Sequence, residues 1–221
     1  MKTFVYVTPS HERMLETFLI PSLPKDLELI IYRVKQSCRT GDYMSEGFVA
    51  CMTHRAKWMF QMISENQGER IMFIDADIQF FTNHIKPIIC PYLDTVNLVS
   101  QNDSKYGGAK THCGGFLAVN ACLETMNLFA MTLGIMSLTD NLNDQLALNM
   151  AVKRMKLKSM TLPLDLFWSP RLLWRPDREL NIPATAIMHH ANWCVGIKDK
   201  MKQLAIGRSK MSRRKDYDIP K

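Results

Sequence analysis

The sequence has no long hydrophobic run and no closely spaced pair of cysteines. No apolar stretch reaches the roughly 20 residues that a helix needs to cross a bilayer. The first apolar run is short and is soon broken by Pro9, so it lacks the pattern of a signal peptide. We therefore expect a cytoplasmic protein with reduced thiols. The absence of a Cys-x-x-Cys pair argues against a zinc ribbon or a disulfide framework, since the six cysteines are scattered: Cys38, Cys51, Cys90, Cys113, Cys122 and Cys194.

The length and charge of the chain predict one folded domain followed by a basic C-terminal segment. A chain of 221 residues accommodates one domain, and 47% hydrophobic residues provide for a sizeable core. The net charge is +7, and much of the excess lies in residues 208–215, which have no apolar periodicity. We predict a folded domain over residues 1–206 and a basic tail or linker over 207–221, with further domains able to follow it. A solvated tail is favoured over a nucleic-acid or membrane patch, so we expect no nucleic-acid partner.

Short apolar runs alternate with amphipathic helical patterns along the chain. This alternation is typical of an α/β fold with a mostly parallel central sheet flanked by helices, here in a single domain. We expect a structured loop over 163–183 that could form the wall of a binding site. The predicted strands are 4–7, 27–32, 71–74, 96–99, 114–119, 157–162 and 184–188, and the predicted helices are 47–64, 121–135, 144–155 and 196–204.

The apolar run Ile-Met-Phe-Ile at 71–74 ends in two carboxylates, Asp75 and Asp77, separated by Ala76. Side chains alternate along a strand, so the two carboxylates can point to one side. Their mutual repulsion is relieved by a divalent cation, and hard cations prefer oxygen ligands. Open α/β sheets bind their ligands at the carboxyl ends of the strands. We interpret the pair as a candidate metal site, although Asp-x-Asp alone also occurs in ordinary polar loops.

Three further segments carry candidate site residues. Gly114 and Gly115 let backbone amides approach a ligand closely, although a simple turn before a strand is the favoured explanation when the segment is taken by itself. Asn143 or Asp144 can cap a helix, while Asp144 and Gln145 can also hydrogen-bond sugar hydroxyls. The third segment is a predicted strand that ends in His189-His190 and is followed by Gly196 and Lys198 at a helix start. Imidazole is a reasonable third metal ligand, especially for manganese, and Lys198 could bind a phosphate with the helix dipole.

Together these segments resemble the nucleotide-diphospho-sugar transferases of the GT-A fold. The matching segments are Phe-Ile-Asp-Ala-Asp at 73–77, Cys-Gly-Gly-Phe at 113–116, Asn-Asp-Gln at 143–145 and His-Ala-Asn-Trp at 190–193. The similarity covers residues 3–205 and is greatest to the branch that includes plant and algal retaining sugar transferases. The size of the chain and its lack of a predicted anchor are similar to those of a glycosyltransferase domain encoded by large algal viruses.

The resemblance implies a GT-A, Rossmann-like fold and a metal-dependent glycosyltransferase. The expected donor is a nucleotide sugar, with UDP-sugar favoured, and the expected acceptor is a glycan or a protein-linked glycan. Asp75 and Asp77 would hold Mn²⁺ or Mg²⁺ with His190, or alternatively His189, as the third ligand. Because Gly196 lies further after His190 than in some relatives, the choice of histidine and the role of Lys198 stay open. Substrate contacts are implied for Thr8, Pro9, Arg55, Asp75, Ala76, Gly114, Gly115, Asp144, Gln145, His189, Gly196 and Lys198.

The expected chemistry is the departure of a nucleoside diphosphate from an oxocarbenium-like sugar, helped by a Lewis acid. Asp77 is a catalytic candidate through the metal. Asp103 and Asp144 are the carboxylates that could serve as base or nucleophile, and the resemblance favours retention over inversion. Two rival functions are a phosphatase of the haloacid-dehalogenase type, which also has Asp-x-Asp after a strand, and an inactive module that binds a nucleotide sugar or glycan. In that phosphatase family the motif usually lies on the first strand.

Overall fold

The computed structural model describes residues 1–105 and 108–212. It contains a six-stranded sheet in the order β2-β1-β3-β6-β5-β7 and a three-stranded sheet in the order β4-β9-β8. The strands are β1 Lys2–Val7, β2 Glu28–Arg33, β3 Arg70–Ile74, β4 Ile78–Phe80, β5 Leu98–Asn102, β6 His112–Asn120, β7 Ser159–Leu162, β8 Phe167–Trp168 and β9 Met188–His190.

Six helical elements accompany these strands in the described part of the chain. The first, α1, is composite, with a 3-10 turn at Pro9–His11, α-helix at Glu12–Met14, a π-helical turn at Leu15–Leu19 and α-helix at Ile20–Ser22. The others are regular α-helices: α2 Phe48–Glu65, α3 Lys86–Leu93, α4 Leu123–Leu138, α5 Asp144–Met155 and α6 Ile197–Ser212.

The large sheet is mostly parallel, as predicted. Strand β1 is parallel to β2 and β3, and β5 is parallel to β7, whereas β6 is antiparallel to both of its neighbours. Five strands therefore run in one direction, and their carboxyl ends share one edge of the sheet. Residues 8, 75 and 103 directly follow β1, β3 and β5, so all three meet at that edge, where the antiparallel β6 begins.

Two apolar cores cover the two faces of this sheet. On one face α2, α4 and α5 pack against alternate strand residues, including Phe4, Phe73 and Leu117. On the other face α1 and α3 pack against the residues in between, including Val5, Met72 and Ala118. The alternation of strand side chains thus separates the two cores.

Several predicted element bounds are wrong. The late strand expected at 184–188 is instead Met188–His190, because β9 is fixed by pairing with β4, a three-residue strand too short to be recognised by periodicity. Helices α1 and α3 were missed because both contain prolines. Helix α6 continues to Ser212 instead of stopping near 204, so residues 207–212 of the predicted tail are helical. Residues 213–221 of that tail lie outside the described residues.

Candidate active site

Asp75 and Asp77 lie in the short turn between β3 and β4. The backbone on each side is fixed by pairing, since the Asp75 amide donates to Gly115 O at 2.8 Å and the Ala191 amide donates to Asp77 O at 2.9 Å. Ala76 is buried in the apolar core and points away from the carboxylates. The two carboxylates therefore share one side of the chain, as the Asp-x-Asp spacing predicts.

His190 completes a cluster of three potential metal ligands. It lies opposite Ile78 in the β4–β9 pair, which brings its ring to the end of β3. Its Nε2 is 3.3 Å from Asp77 Oδ1 and 3.8 Å from Asp75 Oδ2. One ligand atom from each of the three residues lies within 4.8 Å of the others. Two carboxylate oxygens and an imidazole nitrogen form a ligand set that suits a divalent cation such as Mn²⁺.

The opposite side of the His190 ring is held by Gln101, a residue that our sequence analysis missed. Gln101 donates from Nε2 to Phe167 O at 3.1 Å, which orients its Oε1 towards His190 Nδ1 at 2.7 Å. A hydrogen on Nδ1 leaves Nε2 to face the carboxylates, the arrangement that a metal-binding histidine requires. Burial lowers the pKa of His190, but Asp77 and Cys113 outweigh burial and raise it well above its usual value. A cation bound here would displace the Nε2 proton.

Gly115 is the residue that makes room for this cluster. A Cβ at this position would lie 2.3 Å from Asp75 Oδ2 and 2.7 Å from His190 Cε1, so no side chain fits there. The neighbouring Gly114 lies against Gln145, whose Oε1 accepts the Gly114 amide at 2.8 Å. The Gly-Gly pair lies within β6 and allows close packing at the site, so the turn expected here is wrong.

Lys200, which was not among the predicted residues, forms an ion pair with Asp77 across 2.6 Å. Burial lowers the pKa of Lys200, but Asp77 outweighs burial and raises it. Burial raises the pKa of Asp77, yet Lys200 and His190 hold it well below its usual value. The sequence carried no local signal for this contact, because Asp77 and Lys200 are 123 residues apart.

The predicted Lys198 is solvent-exposed and is not brought to the carboxylates. With Thr40, Asp42 and Gly196 it lines a neighbouring cleft of about 410 Å³. The Asp42 carboxylate accepts the Ile197 amide at 3.2 Å and so occupies the start of α6. The predicted phosphate contact of Lys198 remains a prediction, and Lys200 is the lysine that the fold places at the metal-ligand cluster.

Arg55 joins the cluster to the start of α5. Its guanidinium is 3.3 Å from Asp75 Oδ1 and 3.5 Å from Asp144 Oδ2, and it donates to Gly114 O. Burial lowers the pKa of Arg55, but Asp75 and Asp144 outweigh burial and raise it. Burial raises the pKa of Asp144, whereas Arg55 lowers it, with a net increase. Asn143 is the cap of α5, because its side chain accepts the Leu146 amide at 2.8 Å, so Asp144 does not serve as the cap.

Asp103 is held by three hydrogen-bond donors close to Gln145. It accepts from Gln145 Nε2, Asn192 Nδ2 and Trp193 Nε1, each at 2.7 Å. Burial nevertheless raises the pKa of Asp103. The side-chain amide of Gln145 is therefore fixed at both ends, between Asp103 and Gly114. All three carboxylates predicted as catalytic, those of Asp77, Asp103 and Asp144, lie in one connected polar network.

His189 is the candidate that the structure places elsewhere. It points to the opposite side of β9, where Gln79 Nε2 lies 3.0 Å from its Nδ1 and Gln203 Oε1 lies 3.1 Å from its Nε2. It is fully buried, and burial lowers its pKa to about 3. Adjacent strand residues face opposite sides, so His189 cannot share the cluster with His190. The structure therefore does not bring His189 to the cluster of Asp75, Asp77 and His190.

The loop after β1 reaches the same site. Thr8 is buried, and its hydroxyl is 3.1 Å from Nδ1 of His11, while Pro9 is exposed. His11 was missed by the sequence analysis. Burial and then Lys200 lower its pKa, while Asp77 and Asp75 oppose this effect. The ring of His11 thus lies within electrostatic reach of Lys200, Asp77 and Asp75.

Two solved structures that are similar to this chain are glycosyltransferases. The chain is similar to the bifunctional glycosyltransferase WbbM, with a TM-score of 0.57, 10% identity, and coverage of 97% of this chain and 51% of that one. It is also similar to the glycosyltransferase GlyE of Streptococcus pneumoniae TIGR4, with a TM-score of 0.51, 15% identity, and coverage of 74% and 45%. The chain thus spans about half the length of these structures, and the likeness defines the GT-A fold.

The family follows from a match to the sequence itself. Residues 22–204 match the model of the nucleotide-diphospho-sugar transferases. The chain belongs to this family, which confirms the resemblance found from its motifs. None of the curated proteins compared with this chain matches it. In the described part of the chain, no helix is both long enough and apolar enough to cross a membrane. The phosphatase alternative has no support in the family match.

Proposed function

We propose that this protein is a metal-dependent glycosyltransferase that transfers a sugar from a UDP-sugar to a glycan or protein-linked glycan acceptor, with retention at the anomeric carbon. The observation that carries the proposal is the cluster of Asp75, Asp77 and His190 beside Lys200. Two carboxylates, an oriented imidazole and a partly buried ammonium together suit a cation and the diphosphate that it accompanies.

The residues at this cluster fit a divalent cation. Gln101 orients His190 with Nε2 towards both carboxylates, and Gly115 leaves the space beside Asp75 open. Asp75, Asp77 and His190 would hold Mn²⁺ or Mg²⁺. When bound, the cation supplies Lewis-acid neutralisation of the negative charge that develops on the departing diphosphate.

Lys200 supplies a second positive charge to the same leaving group. Its Nζ is paired with Asp77 at 2.6 Å, so it is already positioned and partly desolvated before substrate binds. A preorganised cation stabilises developing charge without reorganisation at the moment of bond cleavage. We propose that Lys200 contacts the diphosphate. Thr8, Pro9 and His11 approach the donor from the end of β1, and the nucleoside is assigned to this loop.

Arg55, Asp144, Gln145 and Asp103 form the sugar side of the proposed site. Asp144 is paired with Arg55, and Asp103 accepts three hydrogen bonds, so both carboxylates are already engaged. An inverting enzyme requires a carboxylate that is available to take the proton of the acceptor hydroxyl. The engagement of both candidates supports retention, with Asp144 and Gln145 contacting the donor sugar.

A thermal-shift screen of nucleotides with and without Mn²⁺ tests this proposal. A ligand that binds the native state raises its melting temperature, so UDP with Mn²⁺ should stabilise the protein more than UDP or Mn²⁺ alone. GDP, ADP and CMP provide comparison ligands. Release of UDP from UDP-sugars then distinguishes an enzyme from a binding module, since a module would show stabilisation and no turnover. Stabilisation by another nucleoside diphosphate, with none by UDP, would contradict the donor assignment.

A further inference from the structure

The outward faces of α4 and α5 form a surface with an unusual composition. Along α4 the exposed positions are Leu123, Glu124, Asn127, Ala130, Met131, Gly134, Ser137 and Leu138. Glu124 is the sole charged residue of this helix, and its carboxylate accepts a hydrogen bond from Asn97. An exposed helix face of a globular protein is ordinarily rich in charge. The face of α4 from residue 125 onwards has none.

Large apolar side chains project from this face and from the neighbouring α5. Leu138 is 86% exposed and Leu146 is 51% exposed, and Met131 and Met150 are also exposed. Helices α4 and α5 belong to the same layer and share the apolar core on one face of the sheet. Their outward sides therefore form one continuous surface, and contiguous exposed apolar surface of this kind marks an interaction site.

A group of cations borders this apolar surface at the end of α5. Lys153, Arg154, Lys156 and Lys158 are all exposed within six residues. None of the four forms an ion pair with an acidic side chain anywhere in residues 1–105 and 108–212. Lys153 and Arg154 lie in the last turn of α5 and complement its dipole, whereas Lys156 is the C-cap residue and Lys158 lies beyond the helix.

We propose that the α4–α5 face docks on an anionic lipid membrane. Exposed leucine and methionine side chains beside unpaired lysine and arginine are the features of a helix surface that lies in the interface of a bilayer. The charge of the surface selects this partner over a second copy of the chain. A second copy would bring four further cations to a surface whose acidic side chains are Glu124, already bonded to Asn97, and Asp140. Anionic lipid headgroups complement the cations and accept the apolar side chains beneath them.

Co-sedimentation of the full chain with lipid vesicles tests the proposal. We expect binding to vesicles of phosphatidylcholine mixed with phosphatidylglycerol, weaker binding at high salt, and no binding to phosphatidylcholine alone. The double variant Lys153→Gln/Arg154→Gln should bind about thirty-fold more weakly, since each basic residue near an anionic surface contributes about a five-fold factor. Leu138→Ser/Leu146→Ser should also weaken binding through the loss of apolar contact.

The matched control changes two exposed lysines on the opposite side of the sheet, Lys25→Gln/Lys86→Gln. This variant should bind the mixed vesicles as the unchanged protein does. The absence of binding by the unchanged protein would overturn the proposal, as would an equal loss in the control variant. Binding that survives both α4–α5 variants would overturn it too, because the contact would then lie elsewhere on the chain. A dimer in light scattering that Leu138→Ser/Leu146→Ser converts to a monomer would assign the face to a second copy instead.

Discussion

The two sides of strand β9 differ in the charge of their surroundings, although the strand carries two adjacent histidines. His190 faces Asp75, Asp77 and the hydrogen-bonding Gln101, and its pKa is raised well above the usual value in spite of burial. His189 faces α6, is hydrogen-bonded to neutral glutamines, and has its pKa lowered to about 3 by burial. Two identical residues, adjacent in sequence and equally inaccessible, thus have opposite charge preferences. The side of the strand that each faces determines its role.

The difference extends to the neighbours on each side. The His190 side contains charged partners, with Lys200 held against Asp77 and Arg55 held against Asp75. On the His189 side, Gln79 Nε2 donates a hydrogen bond to Leu204 O, and the ring of His189 packs against Trp168. A site proposed to bind a cation and an anion requires charged side chains, whereas a contact between β9 and α6 only requires that buried polar atoms be paired. The comparison predicts that the two sides respond to mutation in separable ways.

The largest expected effect is that of Asp77→Asn on the charged side. Removal of one proposed metal ligand, which is also the partner of Lys200, should lower kcat by at least about 10³-fold, or roughly 4 kcal/mol of transition-state stabilisation. The measurement is UDP release from the donor in the presence of Mn²⁺. Circular dichroism establishes that the variant is folded. Asp94→Asn, at an exposed ion pair with Arg70, is the matched control and should retain activity. Full activity of Asp77→Asn would contradict the proposed role.

A pair of histidine variants divides the two sides directly. His190→Gln should weaken Mn²⁺ binding by about 10- to 100-fold or more, with a smaller effect on stability. His189→Gln should lower the free energy of unfolding by about 1–3 kcal/mol, because buried partners lose their hydrogen bonds, while Mn²⁺ binding stays unchanged. Chemical denaturation and Mn²⁺ titration provide the two measurements. Equal changes in Mn²⁺ affinity and in the free energy of unfolding for both variants would contradict the distinction between the two sides.

Glycine variants test the same division through packing. Gly115→Ala places a Cβ 2.3 Å from Asp75 Oδ2 and should displace the carboxylate, weakening cation binding by about tenfold or more. Gly207→Ala places a Cβ 2.5 Å from His189 Nδ1 and should cost about 1–3 kcal/mol of stability with no direct effect on the cation. Gly134→Ala has no neighbouring atom within 4 Å and should stabilise α4 by up to about 1 kcal/mol. Equal loss of cation affinity in the first two variants would show that the sides are not independent.

The prediction with the least bearing on the cation site concerns buried neutral histidines outside the cluster of Asp75, Asp77 and His190. His112 is hydrogen-bonded to Ser100 and Ser159, and burial lowers its pKa from 6.5 to about 4. The unfolded chain binds a proton near pH 6.5 and the folded chain does not. The contribution of His112 to the free energy of unfolding is therefore fully present above pH 6.5. It decreases as the pH falls towards 4, by at most about 1.4 kcal/mol per pH unit.

His112→Gln removes this contribution. Denaturation at a series of pH values should give a shallower loss of stability in the variant than in the unchanged protein over the same interval. His189 should contribute in the same direction, which links this measurement to the neutral side of β9. A slope that is unchanged in His112→Gln would show that His112 is protonated in the folded state.

The parts of the site that were predictable from the sequence are those formed by local motifs. Asp75 and Asp77 were identified because an apolar strand ends at their position, and alternation placed both on one side. Asp144 and Gln145 were identified from a helix start. These features depend on a few consecutive residues, and so does the mostly parallel sheet, which follows from alternating strands and helices.

The residues that sequence reasoning missed depend on contacts between distant segments. Lys200 meets Asp77 only because β9 and α6 pack beside β4, and β4 is too short to be recognised. Gln101 orients His190 across two sheets, and His11 reaches the site from a helical segment interrupted by a π turn. The sequence could not decide between His189 and His190 for the same reason. The register of a three-residue strand is fixed by its partner strand and leaves no periodic signal.

The most direct test of the proposed metal site is Mn²⁺ titration, followed by electron paramagnetic resonance, of the unchanged protein, His190→Gln and His189→Gln in the presence of UDP. We predict one bound Mn²⁺ per chain, an affinity about 10- to 100-fold weaker or more in His190→Gln, and unchanged affinity in folded His189→Gln. Unchanged affinity in His190→Gln, or loss of binding in folded His189→Gln, would contradict the assignment of Asp75, Asp77 and His190 as the cation ligands.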